Sequence, residues 1–186
     1  MTSTYRFRLP IFAVTLAALA LCLLAFAAST GAAPSSDRPT PNLGTCQDLA
    51  APAGNKVAFH VYAEGVQIYR WSSTGWSFVG PDAVLYANAG SDGVVGSHYA
   101  GPTWESVSGS KVGARVVRPC TADPDAIPWL LLQAVSSSGP GVFDGVTFIQ
   151  RVNTTGGKAP SSAGNFPNQE ARVPYTAEYF FYRAQD

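Results

Sequence analysis

The chain has 186 residues, 46% of them hydrophobic, and its 12 basic side chains balance 12 acidic ones. That apolar fraction excludes disorder for want of a core. No run of Lys or Arg supplies the dense positive footprint that nucleic-acid binding needs, so that class of function is excluded too.

Residues 1–32, "MTSTYRFRLPIFAVTLAALALCLLAFAASTGA", have the layout of a secretory signal. Arg6 and Arg8 precede an uncharged apolar run from Ile11 to Ala28, and small residues follow, with predicted cleavage after Ala27 or Ala32. The alternative is an uncleaved N-terminal membrane anchor, since the run is just long enough to span a bilayer. Either way the two arginines stay cytoplasmic and the rest of the chain is delivered outside, as a secreted or cell-envelope protein. A cleaved leader leaves no stable membrane insertion. Cys22 sits among apolar residues on both sides and lacks the setting of a lipid-attachment cysteine. Residues 33–42, "APSSDRPTPN", read as a flexible linker, and residues 43–186 as one domain.

Period-two alternation marks ten strand candidates in that domain. "VAFHVYA" (57–63) sets Val57, Phe59 and Val61 against Ala58, His60 and Tyr62; "GVQIYRW" (65–71) sets Val66, Ile68 and Arg70 against Gln67, Tyr69 and Trp71. "WSFV" (76–79), "AVLYA" (83–87), "VVGSHY" (94–99), "TWESV" (103–107) and "VGARVV" (112–117) come next. "WLLLQAV" (129–135), "VTFIQRV" (146–152) and "VPYTAEYFFYR" (173–183) complete the set. Clusters of Gly, Pro, Asn, Asp and Ser divide them. In "DAIPWLLLQA" Pro128 argues against a helix. The pattern predicts an all-β fold, a single antiparallel β-sandwich or barrel. The stretches 136–145 and 153–172 are long and irregular, and the second has the length of a functional loop.

Discounting Cys22, Cys46 and Cys120 remain, an even pair that in an exported domain favours a disulfide over two separate buried thiols. The cysteines and histidines do not come in the close-spaced pairs of a zinc site, so no metal and no cofactor is expected.

His98 is the sharpest site candidate. If "VVGSHY" and "TWESV" form a hairpin, a three-residue loop sets His98 opposite Trp104. A two-residue loop sets it opposite Glu105, giving a His–carboxylate pair able to move protons near neutral pH. Pro102 fits poorly at the second central position of a tight turn, which favours the longer loop. A catalytic His98–Glu105 pair would also lack a nucleophile, because no G-x-S-x-G elbow and no nearby cysteine is present. His60 fits a polar strand face. Asp123 and Asp125 could hold calcium, though beside Pro124 they fit a turn, as does Asp82. Arg151 and Asn153 enter a Gly turn, where they could bind an anion or anchor the backbone; Asn153-Thr154-Thr155 also fits a glycosylation sequon.

In order, "GVQIYRW", "GPDAVLYA", "VGSHYAGPTWES", "AIPWLLLQA", "VTFIQRVNTTGG" and "RVPYTAEYFFYR" resemble blocks of a family of exported bacterial and fungal proteins known as a domain of unknown function. The resemblance spans residues 43–186 and implies an all-β extracellular domain without supplying an activity. It also implies relatives with Cys in place of Trp71 and within "AGN" (163–165), which would make a Cys46–Cys120 bond particular to this chain.

The sequence therefore favours a non-catalytic binding or structural module outside the cell. Its aromatics either fill the core or, with His98, Tyr99, Trp104, Trp71, Arg151 and Asn153, bind an extracellular ligand, a glycan being the candidate. The rival is an extracellular hydrolase centred on His98 and Glu105.

Overall fold

The structure, a computed structural model, describes residues 1–2 and 39–185. The leader, its cleavage positions, Cys22 and residues 33–38 of the linker lie outside the described residues. The chain divides at Ser35/Ser36, and the fold below is that of the second unit.

Eight strands follow one another: β1 (Asn55–Ser72), β2 (Gly75–Tyr86), β3 (Val94–Tyr99), β4 (Thr103–Ser106), β5 (Lys111–Cys120), β6 (Trp129–Ser138), β7 (Val146–Gly156) and β8 (Glu170–Ala184). Each pairs antiparallel with the next, and β8 returns to β1, closing a barrel. Of the two predicted all-β architectures, this is the barrel. Closure leaves no open sheet edge, and eight strands leave an interior just wide enough for side chains or one small ligand.

Alternation sets what faces inward. On β8, Tyr175, Ala177, Tyr179 and Phe181 join the interior core with Leu85, Trp104, Val112, Leu132 and Ile149. The intervening Phe180 and Tyr182 belong to a second core with Leu131 and Val152, covered by Leu43, Cys46 and Leu49. The segment carrying a short 3-10 turn, Gln47–Leu49, thus lies over the outer wall of β6–β8. This explains why "WLLLQ" and "YFFY" are apolar on both faces. The Cys46–Cys120 disulfide fastens the segment to β5, with Cα atoms 5.8 Å apart. The Leu49 backbone carbonyl accepts from Gln150 Nε2, and Gln150 Oε1 accepts from Tyr182 OH.

Two pairs of predicted strands merge, and strand extends into the stretches read as irregular, with β6 reaching Ser138, β7 reaching Gly156 and β8 starting at Glu170. "VAFHVYA" and "GVQIYRW" are one strand, and so are "WSFV" and "AVLYA". Gly65 is needed where β1 runs beside β2: a Cβ there would lie 2.2 Å from the Asp82 carbonyl oxygen. The predicted shared face of Val57, Phe59 and Val61 also divides. A register shift between Val57 and Phe59 turns Val57 outward, while Phe59 and Val61 pack on the interior core.

Candidate binding cavity

The β3–β4 hairpin has the three-residue loop Ala100-Gly101-Pro102, with Gly101 at φ +116°. The register therefore pairs Tyr99 with Thr103, His98 with Trp104 and Ser97 with Glu105. His98 and Trp104 point into the barrel and are 2% and 0% exposed. Their rings stack with centroids 4.3 Å apart and planes 9° apart. His98 Nδ1 lies 2.9 Å from the Thr103 carbonyl oxygen. A carbonyl only accepts, so Nδ1 carries the proton and Nε2 the lone pair. Burial lowers the imidazole pKa to about 3, far below the ordinary histidine value. At neutral pH the ring is uncharged and a weak base.

Glu105 points to the other side of the wall. It accepts from Tyr99 OH at 2.8 Å and pairs with Lys111 Nζ at 3.1 Å. The Tyr99 hydrogen bond, then Lys111, holds its carboxyl below the usual range. The structure does not bring His98 and Glu105 together: the longer loop sets their side chains on opposite faces of the hairpin.

The barrel end beside His98 encloses a cavity of about 300 Å³. Its walls are largely apolar, formed by Phe78, Val79, Pro81, Val116, Ile127, Leu130 and Leu132. Phe78, Val79 and Val116 are 56%, 41% and 48% exposed, which gives the opening an apolar rim. Polar groups enter at few points: Gln67 and Tyr69 from β1, His98 and Trp104 from the hairpin, Arg151 from β7 and Tyr179 from β8. Gln67 Nε2, Trp104 Nε1 and Tyr179 OH are buried without a hydrogen-bond partner. A buried donor in that state costs about 1–3 kcal/mol. Burial also raises the Tyr179 pKa, an effect that the Arg151 cation opposes.

The long connections hold this end in shape. Ile127 N–H donates to the Gly156 carbonyl at 2.9 Å, and Thr154 Oγ1 donates to the Ile127 carbonyl at 2.6 Å. Tyr69 OH donates to the Gly157 carbonyl at 2.7 Å. Arg151 donates to the Pro128 carbonyl from Nε at 3.1 Å and Nη2 at 2.8 Å.

The remaining sequence candidates lie away from the cavity. Trp71 meets Trp76 edge-on at 5.4 Å, and the 157–169 connection covers it. Gly164 is pressed so close to the Trp71 ring that a Cβ would lie 2.4 Å from Cγ. Asn153, at φ +50°, turns outward where the β7–β8 register shifts, so it parts from Arg151 and donates to Glu178 at 3.0 Å. Glu178 also meets His60 Nε2 at 3.1 Å, and the His60 ring stacks on Phe180 at 4.4 Å. Asp123 accepts from the Asp125 N–H at 2.8 Å in a turn, and Asp82 pairs with Arg172. Among the described residues, no group of three His, Cys, Asp or Glu side chains could hold a metal. None of their helices is long and apolar enough to cross a membrane.

Residues 52–183 match the family described as "Protein of unknown function (DUF3455)". The chain belongs to that family. The match falls within the 43–186 span of the sequence resemblance, and this family's all-β domain here is the closed barrel. No curated protein and no solved structure matches the chain.

Gln67 and Tyr69 were not singled out from the sequence as ligand-facing. Their signal is one of phase: in "GVQIYRW" a glutamine shares its strand face with Tyr69, so the face turned inward is the one that carries the polar group.

Proposed function

We propose that this domain is a non-catalytic binding module that holds a small organic molecule with a mostly apolar body inside the barrel. The observation that carries the reading is the apolar cavity with three unpartnered buried donors, Gln67 Nε2, Trp104 Nε1 and Tyr179 OH. Apolar walls with a few convergent polar groups are the usual composition of a small-molecule site. A ligand acceptor would remove the cost of the unpaired donors. The leader sequence and the Cys46–Cys120 bond support a place of work outside the cell. Against a hydrolase, the only interior imidazole is too weak a base at neutral pH. A glycan is a less well supported ligand: sugar rings need many polar partners, and loop 157–169 covers Trp71.

The test is titration with the neutral fluorophore N-phenyl-1-naphthylamine. The wild type should bind one equivalent saturably, and Leu130→Trp, which fills the cavity from its wall, should weaken binding about tenfold or more. Equal binding by the two proteins would reject the site. So would oligosaccharide binding abolished by Trp71→Ala but untouched by Leu130→Trp.

A further inference from the structure

Among the described residues, the barrel interior contains a cation without an anion. Arg151 projects inward from β7 among neutral groups, and its charge is felt at Tyr69, His98, Tyr175 and Tyr179. Two of its nitrogens are engaged by the Pro128 carbonyl, which is neutral. Every ion pair among the described residues lies elsewhere: Glu178 with His60, Glu170 with Arg70, Glu105 with Lys111 and Asp82 with Arg172. Among the described residues, no carboxylate lines the cavity.

A cation in a half-buried apolar setting gains most from a counter-charge, because both low dielectric and charge-assisted hydrogen bonding strengthen the pair. The other unpartnered groups at this end, Gln67 Nε2, Trp104 Nε1 and Tyr179 OH, are also donors. One positive charge and several donors around an apolar chamber call for an acceptor with one negative charge. Among the described residues, no second cation lines the cavity to match a doubly charged phosphate.

We infer that the ligand of this cavity is a monocarboxylate with an apolar body, and that Arg151 is its counter-charge. This rests on the proposed binding role of the cavity. Arg151 holds the carboxylate, neighbouring donors share its oxygens, and the apolar body lies against Leu130, Leu132 and Ile127.

The experiment is displacement of N-phenyl-1-naphthylamine at pH 7 by octanoate and by octan-1-ol, from the wild type, Arg151→Met and Arg151→Lys. Octanoate should displace the probe from the wild type at about one-tenth of the octan-1-ol concentration or less. Arg151→Met should bind the probe and lose that preference, whereas Arg151→Lys should retain most of it. Equal potency of the two displacers on the wild type overturns the inference, as does a preference that survives in Arg151→Met, and both leave the cavity as a binding site. A wild type that binds neither probe nor displacer overturns the binding role and the inference with it. If Arg151→Met does not fold, the wild-type and Arg151→Lys comparisons still decide.

Discussion

The His98 imidazole lies flat on the Trp104 indole, ring centres 4.3 Å apart, inside a barrel that keeps both from water. In the unfolded chain the same imidazole takes a proton near pH 6.5, but in the folded chain only near pH 3. Between those values the unfolded state binds more protons, so the contribution of His98 to stability is complete above pH 6.5 and is lost as pH falls toward 3. At pH 4.5 the loss is about 3 kcal/mol. Denaturant unfolding of the wild type should weaken from pH 7 to pH 4.5, and His98→Phe, which keeps a ring on Trp104, should show a clearly shallower slope. Identical slopes would mean that His98 is not buried uncharged.

Gly96 sits where β3 meets β4, and a Cβ there would lie 2.2 Å from the Glu105 carbonyl oxygen. Gly96→Ala must push the hairpin apart, at a cost of about 1–3 kcal/mol. The His98–Trp104 stack depends on that hairpin. Near-ultraviolet circular dichroism should therefore show a weakened tryptophan signal together with a lower unfolding midpoint.

Reduction should loosen the outer core before it opens the barrel. The Cys46–Cys120 bond closes a loop across 74 residues of sequence separation. In the chain-entropy description such a loop stabilises by about 4.5 kcal/mol at most. Dithiothreitol, or Cys46→Ala with Cys120→Ala, should lower the unfolding midpoint. Hydrogen exchange should rise first around Leu49 and Gln150, which the fastened segment covers.

Glu105 provides the contrast. Its partners Tyr99 and Lys111 lie on the outer surface, where ion pairs contribute little. Glu105→Gln should leave probe affinity and its pH profile unchanged. A loss of binding in this variant would tie Glu105 to the cavity, against the register of the hairpin.

Much of this was legible along the chain. Pro102 implied the three-residue loop, which set His98 against Trp104, and the alternation of "VPYTAEYFFYR" gave Tyr175, Tyr179 and Phe181 a common face. Barrel closure was not legible, because the β1–β8 pairing joins segments at opposite ends of the domain and leaves no local trace. β2 was split at Pro81, although Pro81 lies just outside the β2–β3 ladder, which begins at Asp82. Arg151 and Asn153 looked equivalent, two residues apart on one strand. The irregularity after Val152 sends one into the barrel and the other to its surface, and alternation alone gives no sign of it.

The indole N–H of Trp104, a residue that lines the cavity, is a buried donor with no partner. In a ¹⁵N-labelled sample titrated with N-phenyl-1-naphthylamine, the Trp104 Nε1–H resonance should shift saturably at one equivalent, while those of Trp71 and Trp76 stay in place. A titration that moves the Trp71 and Trp76 resonances and leaves that of Trp104 unchanged would contradict binding inside the barrel.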